Sequence, residues 1–279
     1  MIFLKNIIEY ILEEDEGFGD ITSNAVIDKQ ALAKAQIISK DEGILAGIEI
    51  IKSLFVSKNI EIISSLNDGD KISKGDLLLE VKGNARTILL LERTVLNVLM
   101  RMSGVATAAH KTVELVKDYD VRIAGTRKTS PAIAKLDKLA LRIGGADTHR
   151  FTLDDMILIK DNHITLVGSP LEALKLAQAN SSFSKKIEIE VENLEDAVQC
   201  TKAKADIVML DNMSIDEVKE VLNELDKLNI RNNSLIEISG GITPENVVDY
   251  AKLGVDIISL GDFTHSTSSL NFSLNIYKF

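Results

Sequence analysis

Apolar residues Leu4, Ile7, Ile8, Ile11 and Leu12 recur at helical spacing and predict an amphipathic helix that stops by Gly17 and Gly19. From about Lys34 to Gly83 the rhythm shortens. The apolar runs AQIISK, EIISSL and DLLLEVKG lie among the turn signals DEG, NDGD and SKGD, which predicts antiparallel strands with one helix near Ile48–Val56. Ala85 to Tyr119 then reads as long helical sequence with a break at Ser103-Gly104. After Val121 short apolar strands recur, each followed by polar residues and a helical stretch: VRIAGTRK, MILIKDN, IEIEVEN, DIVMLDN, LIEISGG and DIISLGD. Their centres lie roughly 20 to 35 residues apart, the length of a strand plus a crossover helix. Alternating strands and helices imply a parallel sheet. Six such units are legible and a seventh is expected near Leu141–Phe151, a number that favours a closed barrel over an open sheet.

The polar residues of these units cluster at one end. Arg127-Lys128, Lys160-Asp161-Asn162, Glu190, Asp211-Asn212, Ser239-Gly240-Gly241 and Gly261-Asp262 all fall at or near strand C-terminal ends. In α/β barrels that rim carries the active site. One Asp after a strand reads as a helix cap; six polar clusters at equivalent positions read as a site.

Composition narrows the class. With 279 residues, 45% hydrophobic and 27% charged, the chain can bury a large core in about two domains. Its single cysteine, Cys200, excludes an intrachain disulfide and disfavours a cysteine zinc site, which fits a reducing cytoplasmic compartment. No apolar run reaches membrane-spanning length, and the N-terminus lacks the basic segment of a signal peptide. Net charge −10 and the absence of Trp disfavour nucleic-acid binding. Yet residues 121–150 carry seven bases against two acids, net +5, leaving −15 for the rest. Lys135, Lys138 and Arg142 within that island read as a solvated helix face. Arg127 and Lys128, at a strand end, point instead to an anion site.

Arg127, Lys128, His149, Arg150 and Lys160 could converge on one rim and bind a ligand bearing carboxylates or phosphates. His149-Arg150 reads equally well as an exposed loop. Arg93, on the long helix, reads by position as a solvated residue. Glu190 and Asp211 end successive strands; two such carboxylates can hold Mg²⁺, stabilise a developing cation, or pair with Lys128 or Lys160. Glu188 shares a strand face with Glu190, and alternation alone does not choose between them. The turn ISGGIT, with Pro244 starting a helix, and the turn LGDFTHS are candidate phosphate loops at the last two strands. No GxSxG, HExxH or Walker motif is present, and Cys200 reads as a buried spectator.

The stretch GTRKTSPAIAKLDKLALRIGGADTHRFTLDDMILIKDNHI strongly resembles the signature region of the quinolinate phosphoribosyltransferase (carboxylating nicotinate-nucleotide pyrophosphorylase) family. EDEGFGDIT, ERTVLNVLMRMSGVAT, IEIEVENLEDA, VMLDNMS, ISGGITPENV and GVDIISLGDFTHS extend the likeness over nearly the whole chain, in family order. The resemblance implies an N-terminal α/β sandwich domain (1–105, joined by 266–279) and an irregular seven-stranded α/β barrel (106–265). It implies transfer of phosphoribosyl from 5-phosphoribosyl-1-pyrophosphate to quinolinate, with decarboxylation and Mg²⁺, in NAD biosynthesis. By motif position Arg127, Lys128, His149, Arg150 and Lys160 would bind the dicarboxylate. Arg93 would reach a neighbouring subunit's site, so the active unit would be a homodimer or larger. Glu190, chosen over Glu188 by the motif, and Asp211 would serve the Mg²⁺–pyrophosphate–ribose end. Ser239, Gly240, Gly241, Gly261 and His265 would bind the phosphoribosyl donor. Lys128, Lys160, Glu190 and Asp211 would form the catalytic group.

The chain departs from the family pattern at Ala132, where glycine usually follows the proline, at Ala134, near an expected Arg, and at Ala146, in place of a third glycine. Gly125 stands where Ala or Asp is common, and Leu270-Asn271-Phe272-Ser273 replaces a late LDIS. Two other readings compete: a molybdenum-transport-associated paralogue of the same fold with a different acceptor, and a non-catalytic anion-binding protein. The lysine of LIKDNH argues against the first, and the paired Glu190 and Asp211 against the second.

Overall fold

In the computed structural model, residues 2–278 are described, apart from the side chains of residues 2–5 and His265. The chain divides into two units. Met1–His110, Thr129–Gly145 and Phe263–Phe279 form the first; Lys111–Lys128 and Ala146–Asp262 form the second.

The first unit holds helices α1 (Ile2–Glu16) and α2 (Ile21–Val26), strands β1 (Leu32–Ser39) and β2 (Gly43–Ile44), helix α3 (Ile48–Ser57), strands β3 (Glu61–Ser65), β4 (Lys71–Ile72) and β5 (Leu77–Asn84), and most of helix α4 (Ala85–Leu115). Helix α5 (Ala134–Ile143) belongs to it as well. On α1, Ile8 and Leu12 are buried as the spacing predicts; the expected packing of Leu4 lies outside the described residues. Strand β1 buries every second residue, Ala33, Ala35, Ile37 and Ser39, and sits between β5 and the last strand, Phe272–Lys278, with β3 beyond β5. All these pairings are antiparallel.

Two expectations change here. Helix α4 runs unbroken through Ser103-Gly104. Gly104 permits close approach rather than a break: a Cβ there would lie 2.3 Å from the Ser268 carbonyl oxygen, while Ser103 Oγ accepts from the Ala46 N–H at 3.0 Å. The basic face expected of α5 is also not fully solvated. Lys138 is buried, beside a buried Asp137 whose carboxylate receives both Arg101 Nε and Nη2.

The second unit is a parallel α/β array: β6 (Arg122–Gly125), β7 (Ile157–Ile159), α6 (Asp161–Val167), α7 (Pro170–Asn180), β8 (Ile187–Val191), α8 (Leu194–Lys202), β9 (Ile207–Asp211), α9 (Ile215–Lys227), β10 (Leu235–Ser239), α10 (Val247–Ala251) and β11 (Ile257–Leu260). Strand order is β6-β11-β10-β9-β8-β7, with every pair parallel. The seventh position is a single parallel bridge, Ala124 to Asp147, flanking β6. Arg150 then reaches from that edge toward the other, donating to the carbonyl of Met156 just before β7 at 3.3 Å. Crossover helices begin where the chain supplies a side-chain acceptor: Ser169, Asn193 and Ser214 each receive a backbone N–H of the first turn. No described helix is long and apolar enough to cross a membrane.

Candidate functional site

Alternate residues of the parallel strands stack in tiers. The lowest is apolar: Ala124, Ile207 and Ile257 pack together, with Met156 against them. One step toward the strand C-termini come Leu158, Met209, Glu237 and Ser259; one further step come Lys160, Glu190, Asp211 and Ser239. All eight line a cavity of about 450 Å³ within the second unit, a volume suited to a small-molecule ligand. Gly125, Thr126, Arg127, Lys128, His149, Arg150, Asn212, Gly240 and Gly241 complete its wall. Period-two alternation plus a common strand direction thus places the rim residues of five strands around one opening.

One side of this cavity is cationic. Burial, and then the charge of Arg127, lower the pKa of Arg150, so the two guanidiniums repel one another. That repulsion is relieved by an anion between them. Lys160 pairs with Glu190, and its backbone N–H donates to His163 Nδ1 at 3.0 Å, which secures the start of α6. The Asp211 carboxyl is held above its usual range by burial first and by the Glu190 charge second, with Lys160 opposing. An Asp211 carboxyl whose ionisation is opposed by a neighbouring carboxylate suits a nearby cation or a developing positive charge.

The ISGGIT turn is built for close backbone approach. Gly240 has φ +87 and a Cβ there would lie 2.3 Å from Asn212 Oδ1 and 2.8 Å from Asn212 N. Asn212, itself left-handed at φ 53, donates its N–H to the Ser239 carbonyl at 2.9 Å and its Nδ2 to Asp211 Oδ2 at 2.7 Å. Gly241, at φ +64, meets nothing within 4 Å. The helix expected from Pro244 begins only at Val247, as the five-residue α10, because Thr243–Asn246 closes first as a turn with the Thr243 N–H on Asn246 Oδ1 at 2.9 Å.

At the base of the wall His149, Glu188 and Glu237 meet, a contact that spacing did not predict. Glu188 and Glu237 are both fully buried, and His149 Nε2 stands 3.1 Å from Glu188 Oε2 and 3.4 Å from Glu237 Oε2. Burial by itself would lower the His149 pKa, but the two carboxylates outweigh it and push it up to about 10. Burial likewise raises Glu188. A readable signal existed: Glu237 is an acid in the middle of the apolar run LIEIS, where an unpaired charge is costly.

Of the residues singled out from sequence, Arg127, Lys128, His149, Arg150, Lys160, Glu190, Asp211, Ser239, Gly240 and Gly241 all line the cavity. Gly261 follows β11 but is not among the lining residues. Arg93 is exposed on α4 in the first unit. The side chain of His265 lies outside the described residues. Cys200 is buried on α8, where burial pushes its thiol up to about 12, too weak an acid to serve as a nucleophile.

Comparison with known proteins agrees with this architecture. Residues 105–275 match the family model "Quinolinate phosphoribosyl transferase, C-terminal domain", and residues 20–103 match the corresponding N-terminal domain. A probable carboxylating nicotinate-nucleotide pyrophosphorylase of Methanocaldococcus jannaschii is 46% identical over 99% of this chain and 98% of its own length. Its counterpart from Methanothermobacter thermautotrophicus is 43% identical over 98% and 99%. The crystal structure of NadC from Streptococcus pyogenes superposes with a TM-score of 0.92 at 35% identity, covering 100% of this chain and 98% of that one. This chain belongs to the quinolinate phosphoribosyltransferase family.

Proposed function

We propose that this protein carries out the reaction named for its family: quinolinate and 5-phosphoribosyl-1-pyrophosphate give nicotinate mononucleotide, pyrophosphate and carbon dioxide, a step of NAD biosynthesis. The observation that carries the reading is one cavity lined by Arg127, Lys128, Arg150 and Lys160 together with the carboxylates Glu190 and Asp211. A dicarboxylate acceptor needs the cations. A ribosyl centre that gains positive charge needs the carboxylates.

Arg127, Lys128, His149, Arg150 and Lys160 form the acceptor subsite and hold the pyridine nitrogen in line with the anomeric carbon. As the bond to pyrophosphate breaks, Glu190 and Asp211 stabilise the oxocarbenium character of the ribose. The nitrogen supplies the electron pair of the new C–N bond, so no protein nucleophile is required. The quaternised ring then accepts the pair released when the 2-carboxylate leaves as carbon dioxide, and a proton replaces it at that carbon. Ser239, Gly240 and Gly241 offer hydroxyl and backbone N–H groups to the 5-phosphate, with Gly261 and His265 assigned to the same end by motif. Glu190 and Asp211 also fit a Mg²⁺, directly or through water, since both carboxylates line one cavity and the Glu190 charge opposes ionisation of Asp211; when bound it would neutralise pyrophosphate charge.

The test is a phosphoribosyl-transfer assay with Mg²⁺ in which quinolinate and nicotinate are offered in parallel. Product from quinolinate alone is the expected result. Turnover of nicotinate, or of neither, would send the search for the acceptor elsewhere, to Ala132 and Ala134 first. Arg93, from a neighbouring copy, is proposed to complete the acceptor subsite. Sedimentation should therefore find the active species to be a dimer or larger. Mixing Arg93→Ala with Lys160→Ala protein should restore activity to a population of hybrid sites; an active monomer would remove this role.

A further inference from the structure

The His149 ring has both nitrogens engaged away from the cavity opening. Nε2 faces the two buried carboxylates at 3.1 and 3.4 Å, and Nδ1 receives the Arg150 N–H at 2.9 Å. One N–H shared between two oxygens aligns well with neither, and no directed hydrogen bond forms on Glu188 or on Glu237 Oε2 among the described residues. The contact is an electrostatic cradle. It sits under a strained turn: His149 has φ 51, in the left-handed region that side-chain-bearing residues rarely adopt. Around it the chain is pinned at Asp147, whose N–H and C=O bridge to β6 and whose Oδ1 accepts the His149 N–H at 2.8 Å. The next residue is Arg150, only 8% exposed, which must enter the cavity wall at a set angle.

The cradle is otherwise hard to explain. Leu158 and Met209 show that the middle tier accepts apolar side chains. Two fully buried glutamates there are expensive unless something requires them. Ser259 Oγ donates to Glu237 Oε1 at 2.6 Å, which fixes one acid from the neighbouring strand. With Glu188, Glu237, His149 and Arg150, acidic and basic side chains meet in the buried layer.

We propose that Glu188 and Glu237 are positioning residues for the acceptor subsite: they grip the His149 ring from below, and through it hold the left-handed turn that presents Arg150 to the substrate. His149 thus serves the subsite by holding its shape rather than by lending a ring nitrogen to the dicarboxylate. The inference rests on the assignment of this cavity wall to the acceptor.

The test is a double-mutant cycle on the full-length protein, read in steady-state kinetics. Glu188→Gln and Glu237→Gln keep the side-chain shape, and His149→Asn keeps a residue that tolerates the left-handed turn but is too short to reach the cradle. Each is expected to raise KM for quinolinate about 10- to 100-fold and to leave KM for phosphoribosyl pyrophosphate within about twofold, whereas general loss of folding would lower the active fraction without that split. The His149→Asn/Glu188→Gln double variant should be no worse than the poorer single one, because both act through one ring. Additive losses, or equal shifts in both KM values, would overturn the proposal. A second measurement needs no variant. In protein labelled with nitrogen-15 at histidine, the His149 Nε2 proton should be retained and both ring-nitrogen resonances should stay unchanged when quinolinate binds. A ring nitrogen that shifts on binding means direct contact and sinks the idea.

The same three side chains offer ligand atoms within 4.8 Å of one another. Stoichiometric transition metal in the purified protein, lost in Glu188→Gln, would therefore replace the cradle by a metal site. If Arg127→Ala and Lys160→Ala abolish activity while the glutamine variants do not, only the cradle fails. If all of them are silent, the acceptor assignment itself falls.

Discussion

Lys160→Ala is expected to lower kcat/KM about 100- to 1000-fold while leaving the melting temperature almost unchanged. The asymmetry follows from where the lysine sits. Its side chain is 42% exposed, so folding gains little from it. The Glu190 carboxylate it pairs with is only 12% exposed and lies near Asp211. Removing the ammonium takes one cation from the acceptor wall and at the same time leaves two carboxylates facing each other with less to offset them. Arg127→Ala, at an exposed position of the same wall, should act in the same direction mainly through KM for the dicarboxylate. Both are checked by steady-state kinetics against each substrate, with thermal melting alongside. Folded protein with kinetics within a few-fold of wild type, in either case, would refute the site assignment.

Gly240→Ala should be the most damaging small substitution in the second unit. The new methyl carbon would need to occupy a space 2.3 Å from Asn212 Oδ1 and 2.8 Å from Asn212 N, at φ +87. The side-chain oxygen can move, but the backbone nitrogen is tied to Ser239 across the β9–β10 pair. Strain and clash together should cost about 2–4 kcal/mol and lower the melting temperature by roughly 5–15 °C. Gly241→Ala provides the contrast. It carries the left-handed strain but meets nothing within 4 Å, so its stability loss should stay near about 1 kcal/mol while KM for phosphoribosyl pyrophosphate rises. Calorimetry and kinetics on the two variants separate the roles. Equal melting temperatures for both would show that the packing of Gly240 on Asn212 does not matter.

The six parallel strands were legible because each is an apolar run closed by polar residues, and burial on both faces leaves that signature in the sequence. The seventh position, near Asp147, was visible only as a gap in the rhythm, since it contributes one bridged residue rather than a strand. The long helix was legible too, but not its continuity. Gly104 looks like a breaker in sequence and is instead a contact point for Ser268. Lys138 misled for a related reason. Amphipathic periodicity reports the average face of a helix, whereas Lys138 is buried beside Asp137, whose partner Arg101 lies elsewhere in the chain.

The sequence by itself determined the rim. Strand alternation and a shared strand direction leave little freedom, so Lys160, Glu190, Asp211 and Ser239 had to face one opening. It also determined the family, because motifs in order along a chain are a linear property. What only the tertiary structure decided is the tier below. Whether Glu188 or Glu237 touches His149 depends on register between β8, β9 and β10 and on how the 147–150 turn folds inward. Those contacts join residues 39 and 88 positions apart from His149, and no local periodicity encodes a meeting of that kind. Pairwise distances and burial set the charge and the grip of that layer, and they exist only once the sheet has formed.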